Sequence, residues 1–436
     1  MSRSIRLSIV FVALAAALPA AADAQRLSPQ EQRIVQYVDA HADEAIGFLE
    51  RIVNINSGTL NVEGVRQVGA AFRAPLDSLG FDARWIALPD SMRRAGHLFA
   101  YRQGTRGRKV LLIGHLDTVF ERDDAFQRFV RQGRYASGPG VNDMKGGDVV
   151  ILYALKALHA AGALEGTTIT VAFTGDEEAP GRPLEIARRE LIQAGQASDV
   201  ALEFETGARD SATEYATVAR RSSSGWKLTV RGRTAHSSGV FSEGTGSGAI
   251  YEAARILTAF HEELRGEQYL TFNPGVIVGG TDVRYDAGES RGTAFGKTNV
   301  VAQTAIVTGD IRTITDEQLQ RTHERMRAIV ARHLPGTQAE IEFTEGYPSM
   351  PPTEGNHALL ALLNTVNRDL GTPPMEALDP GRRGAADVSF VAPHVDALAG
   401  LGANGSGAHG PNERIDLESF PMQVKRAALL IYRLTR

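Results

Sequence analysis

The chain has no cysteine among its 436 residues. Disulfides, iron–sulfur clusters, thiolate zinc sites and thiol nucleophiles are excluded together. It also lacks a long basic run: Lys and Arg total 47 against 51 Asp and Glu, a net charge of −4. Nucleic acid needs a concentrated positive footprint, so it is not an expected partner. No G-x-S-x-G elbow occurs, which counts against a serine hydrolase. Beyond the N-terminus no apolar run approaches the roughly 20 residues of a spanning helix, and there is no internal repeat or low-complexity linker. What remains is an ordinary globular composition, 43% hydrophobic and 22% charged, long enough for two domains.

At the N-terminus, Arg3 and Arg6 precede an apolar stretch from Ile9 to Leu18, then Pro19 and small residues. Ala22-Asp23-Ala24 fits a small-x-small cleavage pattern, so residues 1–24 are expected to be a signal peptide and Gln25 the first mature residue. The mature protein is then expected to be exported, to a periplasm or the medium, and free of the membrane.

Helical and strand patterns alternate over the next segments. Helical spacing covers 30–52, 62–79, Met144–Ala160 and Leu184–Ala194; strands are expected at 95–101, 109–114, Thr168–Phe173 and Val200–Phe204. Such alternation predicts an α/β layered fold with a central sheet flanked by helices. Near Ser222 the pattern changes. Strand Trp226–Val230, helix Gly248–Leu264, strands Tyr269–Val278 and Asn299–Ile311, helix Asp316–His333 and strand Ala339–Phe343 follow in order. That βαββαβ order is the ferredoxin-like split unit. The chain therefore divides into 25–220 and 346–436, forming one catalytic domain, around an inserted domain at 221–345. Helices near His357–Leu370 and Glu418–Leu434 complete the first domain.

Metal-type ligands recur at the ends of these strands. Gly114-His115-Leu-Asp117 follows the apolar strand Val110–Ile113, and alternation turns His115 and Asp117 to one side. Asp117 is suited to accept the second imidazole N–H and fix the tautomer. Asp143 sits in Gly138-Pro-Gly-Val-Asn-Asp143 at a helix start, where it serves either as an N-cap or as a carboxylate bridging two ions. Asp176-Glu177-Glu178 follow strand Thr168–Phe173; three adjacent acids repel one another unless they are solvated or cations neutralise them. Glu203 and Glu205 alternate at the next strand end, and His409 lies between glycines in Gly405-Ser-Gly-Ala-His409-Gly. Imidazole with carboxylate and no sulfur is a hydrolytic zinc donor set. Two rival motifs fail: Gly400-Leu-Gly402-Ala-Asn-Gly405 opens no helix to face a pyrophosphate, and Gly296-Lys297-Thr298 lacks the first glycine of a P-loop, where Arg291 stands.

The GHLDTVF, GPGVNDMKGG and DEE segments, in this order and followed by the late glycine-flanked His409, resemble the M20 metallopeptidases, in the branch of glutamate carboxypeptidase and the aminoacylases. The resemblance spans essentially the whole mature chain. It implies a zinc-peptidase-like catalytic domain, an inserted lid or dimerisation domain, a homodimer and two zinc ions per chain. His115 and Glu205 would bind one ion, Glu178 and His409 the other, with Asp143 bridging; Glu203 is the rival of Glu205. Asp117 would orient His115, Glu177 would be the general base, and His236 in Arg233-Thr-Ala-His236 would assist the oxyanion from across a dimer. A cis peptide is implied after Asp143, although Met144 stands where an acidic or small residue is usual. Asn299 and Arg312 match substrate-binding positions, and Gly384 lies in a loop on the substrate side whose arginines Arg382 and Arg383 are candidate anion anchors. Tyr347, in Glu345-Gly-Tyr347-Pro, stands where glutamate-specific relatives carry a basic residue, so strict glutamate preference is not expected. The expected activity is release of a C-terminal amino acid from a small peptide or N-acyl amino acid. The alternatives are an aminoacylase or desuccinylase and, in another class, a metal-free solute-binding relative.

Overall fold

The structure, a computed structural model, describes residues 27–211 and 213–436; the signal peptide expected over 1–24 lies outside them. Its main sheet has six strands in the spatial order Asp82–Ile86, His97–Arg102, Thr167–Thr174, Arg106–His115, Val200–Glu203 and Asp396–Leu398. The last four run parallel and the first two antiparallel, so the sheet is mixed. Alternate residues of one strand feed different cores. Val110 and Leu112 join the helices Pro29–Ala40, Ala42–Val53, Lys145–Ala160, Glu354–Asp369 and Phe420–Thr435, whereas Leu111 and Ile113 pack with Leu184, Leu191 and Val391 on the opposite face. Both faces of the central strands are thus covered, which is why those strands read as continuous apolar runs.

The inserted segment forms a separate four-stranded antiparallel sheet in the order Thr271–Gly280, Thr304–Arg312, Ser223–Gly232, Thr337–Tyr347. Its helices Ala249–Leu264 and Asp316–Val330 bury Ile256, Phe260, Met326 and Ile329 against Trp226, Leu228 and Val307 in a core of its own. This is the βαββαβ topology, with an added hairpin, Asp282–Asp286 with Arg291–Phe295, that the sequence pattern does not predict.

Three boundaries differ from expectation. The helix expected over 30–52 is two helices meeting at His41, whose Nδ1 lies 2.8 Å from the Tyr37 carbonyl and competes with the helical ladder. The helix expected over Leu184–Ala194 breaks at Arg188, whose side chain is drawn inward to buried carboxylates. The strand expected from Asn299 begins only at Thr304. Among the described residues no helix is long and apolar enough to cross a membrane.

Candidate metal centre

Register sets the site. In the main sheet His115 lies opposite Thr174, and Ile113 opposite Glu203, so three parallel strands end side by side. Ligands gather beyond the carboxyl ends of such strands. The loop carrying Asp143 is brought to the same edge because Gly147 lets the next helix approach strand backbone. A Cβ there would sit 1.9 Å from the Phe204 carbonyl oxygen. The Asp143–Met144 peptide is cis.

The five side chains named as ligands converge. His115 Nε2 lies 3.4 Å from one oxygen of Asp143 and 3.3 Å from Glu205. His409 Nε2 lies 3.1 Å from the other oxygen of Asp143 and 3.1 Å from Glu178. Asp143 therefore faces one imidazole with each oxygen. Two ligands each ~2.0–2.1 Å from a tetrahedral ion stand roughly 3.3 Å apart, so both groups have the spacing of ligands around a shared cation. Glu177 stands at the edge: one atom each from His115, Glu177 and Glu205 lies within 4.8 Å of the others.

The donor chemistry fits metal. Nδ1 of His115 faces the Asp117 carbonyl at 3.1 Å and the Asp117 carboxylate at 3.4 Å, so the proton belongs there and Nε2 offers a lone pair. That lone pair faces carboxylate oxygens, so a positive charge, a proton or a metal cation, belongs between them. Nε2 of His115 and Oε1 of Glu178 are buried with no hydrogen-bond partner, atoms that a cation would satisfy. The local field favours positive charge throughout. His409 is pushed up to about 11, chiefly by Asp143 and Glu178. Burial pulls His115 down, yet Asp117, Asp143 and Glu205 hold it well above its ordinary value. Asp143 is pulled below its ordinary range by His115 and His409 despite its burial. Burial lifts Glu178 to about 7 and raises Glu177 well above the carboxylate range.

Asp117 does more than orient His115. Fully buried, it accepts from Thr59 Oγ1 at 2.6 Å and from the peptide N–H groups of Glu177 at 3.0 Å and Glu178 at 3.1 Å. Glu203 points elsewhere, toward Arg220 at 2.9 Å and the Val388 N–H at 2.9 Å, which leaves Glu205 at the cluster.

The remaining candidates fall into separate places. Arg312 is held by Asp310 at 3.0 Å, and its Nη1 lies 3.3 Å from where a Cβ on Gly384 would stand. The Gly384 carbonyl accepts from Arg220 at 3.1 Å. His236 and Asn299 lie together on the inserted unit, linked by the Ser237 N–H to the Asn299 carbonyl at 2.9 Å, and both are exposed. The described partners of His236 are Ser238, Gly239 and the bridge to Val300, none of them one of the candidate ligands. Tyr347 is engaged by the protein: its hydroxyl donates to the Glu177 carbonyl at 2.9 Å and accepts from Arg188 at 2.8 Å. Its hydroxyl thus lies under the Glu177 peptide.

Two further supports escape sequence reading. Glu413 accepts the peptide N–H groups of Gly140, Asn142 and Asp143 at 3.2, 2.7 and 2.9 Å, cradling the loop that carries the bridging carboxylate. Arg188, fully buried, pairs with Asp176 at 2.6 Å and Asp387 at 2.7 Å beneath the same turn that presents Glu177. Both are single residues whose partners are remote in sequence. Only the acidic run at Asp176 gave a local signal.

A mixed sheet that gathers imidazole and carboxylate side chains at its carboxyl edge around one aspartate has the donor set of a metallohydrolase. The profile of peptidase family M20/M25/M40 matches residues 111–433, and the chain belongs to that family. It is an enzyme of the metallo-carboxypeptidase and amidohydrolase kind. Carboxypeptidase G2 of Pseudomonas sp. (strain RS-16) is 27% identical over 98% of both chains. Succinyl-diaminopimelate desuccinylase of Magnetococcus marinus is 27% identical over 82% of this chain and 91% of that protein. A Bacillus subtilis structure described as a dinuclear metal-binding peptidase from family M20 shares the fold, with a TM-score of 0.61, 17% identity, and coverage of 91% of this chain and 99% of that one.

Proposed function

We propose that this protein is an exported, zinc-dependent amide hydrolase that releases the C-terminal amino acid of a small peptide or N-acyl amino acid. The carrying observation is Asp143, one oxygen 3.4 Å from His115 and the other 3.1 Å from His409, a bridging carboxylate between two ligand groups. Likeness to carboxypeptidase G2 along 98% of the chain supports the reaction class. The all-imidazole-and-carboxylate donor set supports zinc.

Two ions held by His115, Glu205, Asp143, Glu178 and His409 supply Lewis-acid activation of water and of the scissile carbonyl when bound. Glu177 takes the proton of the attacking water and returns it to the leaving nitrogen. Burial raises its pKa above the ordinary carboxylate range, the direction that favours proton uptake by a general base. Asp117 and Tyr347 fix its peptide from two sides. His236 donates to the developing oxyanion from a second copy of the chain, consistent with its exposure and with Ser238 as its side-chain partner. Arg312 and Asn299 take the substrate's free carboxylate. The N-terminal Arg-apolar-small pattern supports export, with a mature N-terminus at Gln25.

The likeness to a desuccinylase favours a second reading, in which the acyl group is the recognised part. A panel of dipeptides and N-acyl amino acids separates the two by which half tolerates change. Purified protein is expected to carry two zinc ions per chain, and Glu177→Ala to retain them while losing turnover by about 1,000-fold or more. Near-normal turnover in that variant removes Glu177 from the base role. A chain without metal that added zinc does not activate overturns the hydrolase assignment.

A further inference from the structure

We infer that Arg383 is a second anion anchor beside the metal centre, selecting substrates that bear a carboxylate in addition to the one taken by Arg312. The inference rests on the hydrolase reading above and narrows its substrate class.

Arg383 lies in the loop Gly381–Gly384, and its Nη2 donates to the carbonyl of Thr206, the residue after the ligand Glu205. The arginines around it have acidic partners: Arg220 has Glu203 at 2.9 Å, Arg312 has Asp310 at 3.0 Å and Arg382 has Asp210 at 2.7 Å. Among the described residues, no carboxylate lies within ion-pair distance of Arg383. A guanidinium carries five N–H donors, and one carbonyl leaves most of them unused. Arg383 is also only partly exposed, and burial together with the neighbouring Arg220 disfavours its charge.

A partly desolvated, unpaired guanidinium is costly by itself and becomes favourable when a carboxylate docks on its planar fork. Arg312 stands on the other side of the same loop, its Nη1 3.3 Å from the Cβ position of Gly384. One arm thus comes from each structural unit, and a substrate with two carboxylates engages both. The cation missing at Tyr347 is supplied from a different loop.

Two matched pairs test this and locate the second carboxylate. N-acetylglutamate against N-acetylglutamine reads a charge on the released residue; N-succinylalanine against N-butyrylalanine reads one on the acyl group. In the zinc-loaded wild type, the acidic member of one pair is expected to be favoured about 10- to 100-fold in kcat/KM, the range of a charge-assisted hydrogen bond. Arg383→Ala should bring that ratio close to 1 while the neutral substrate changes by less than about 3-fold, and Arg383→Lys should fall between. Ratios that Arg383→Ala leaves unchanged, or a wild type that favours neither acidic member, overturn the proposal. If Arg383→Ala fails to fold, Arg383→Gln carries the same comparison. If the wild type cleaves no substrate, the hydrolase reading fails separately. Calorimetric titration with the four compounds then reads the anchor directly, and equal affinities within both pairs overturn it.

Discussion

The ligand cluster and the loop of the inserted unit that carries His236 and Asn299 differ in how firmly their side chains are held. His115 is 2% exposed, with its tautomer set by Asp117, and Asp117 itself accepts from three other donors. The peptide leading into Asp143 is tied to Glu413 three times over. Among the described residues the His236 side chain meets Ser238 alone, the rest of its contacts being backbone ones to Gly239 and Val300, and Asn299 is held by its backbone. The half that holds charge is built before anything binds, because buried like charges tolerate no slack. The loop with His236 and Asn299 has no such network around its side chains. Damage to the first half should therefore appear in metal content and stability, and damage to the second in turnover alone.

The sharpest test of that division is His236→Ala. Loss of one oxyanion donor costs about 100- to 1,000-fold in kcat, and here it should leave zinc content and melting temperature unchanged, as metal analysis and calorimetry would show. A drop in melting temperature would mean that the loop is a structural joint. Asp117→Asn comes next. The amide turns an N–H toward the N–H groups of Glu177 and Glu178, so zinc affinity should fall by about 10- to 100-fold, as for other groups that orient a ligand, and melting temperature with it. Competition with a chelator measures the first and a thermal melt the second. Unchanged affinity would show that His115 needs no orienting partner.

Tyr347→Phe sits between the two halves. It ends the last strand of the inserted sheet, yet its hydroxyl holds the Glu177 carbonyl. The variant keeps the ring against Phe390 at 4.8 Å and deletes two hydrogen bonds. We expect kcat to fall about 3- to 10-fold with KM and zinc content unchanged. A rise in KM at constant kcat would instead mean that Tyr347 contacts the substrate directly.

These contrasts explain what could be read from the sequence. His115, the acidic run at Asp176–Glu178 and Glu205 follow apolar strands, and parallel strands ending at one edge bring their next residues together, so a linear pattern carried spatial information. The choice between Glu203 and Glu205 needed three dimensions, because both lie at one strand end and only the position of Arg220 separates them. The contacts of Glu413, Arg188 and the Tyr347 hydroxyl had no such pattern: each is one residue with a partner in a distant segment. Element boundaries failed for a related reason. The breaks at His41 and Arg188 are made by side chains that compete with the helix or leave it for a buried partner, which apolar periodicity does not register.

The smallest expected effect lies in the inserted unit and involves no ligand. His323 is buried, stacked on Phe343 at 3.7 Å, and its Nε2 has no hydrogen-bond partner. Burial, with Arg327 nearby, pulls its pKa from 6.5 down to about 4. The unfolded chain takes up this proton near 6.5 and the folded chain only near 4, so between those values the unfolded state binds more protons. Stability from this group is therefore complete above 6.5, falls as pH drops from 6.5 to 4, and levels off below. Carboxylates of the metal centre also respond to acid, so wild type alone does not isolate the histidine. The difference between wild type and His323→Phe does: the variant's melting temperature should fall less over that window, with the two profiles parallel above pH 7. Parallel profiles throughout would mean that the imidazole takes up its proton at the same pH in the folded and unfolded chains, so that Arg327 and burial do not govern it.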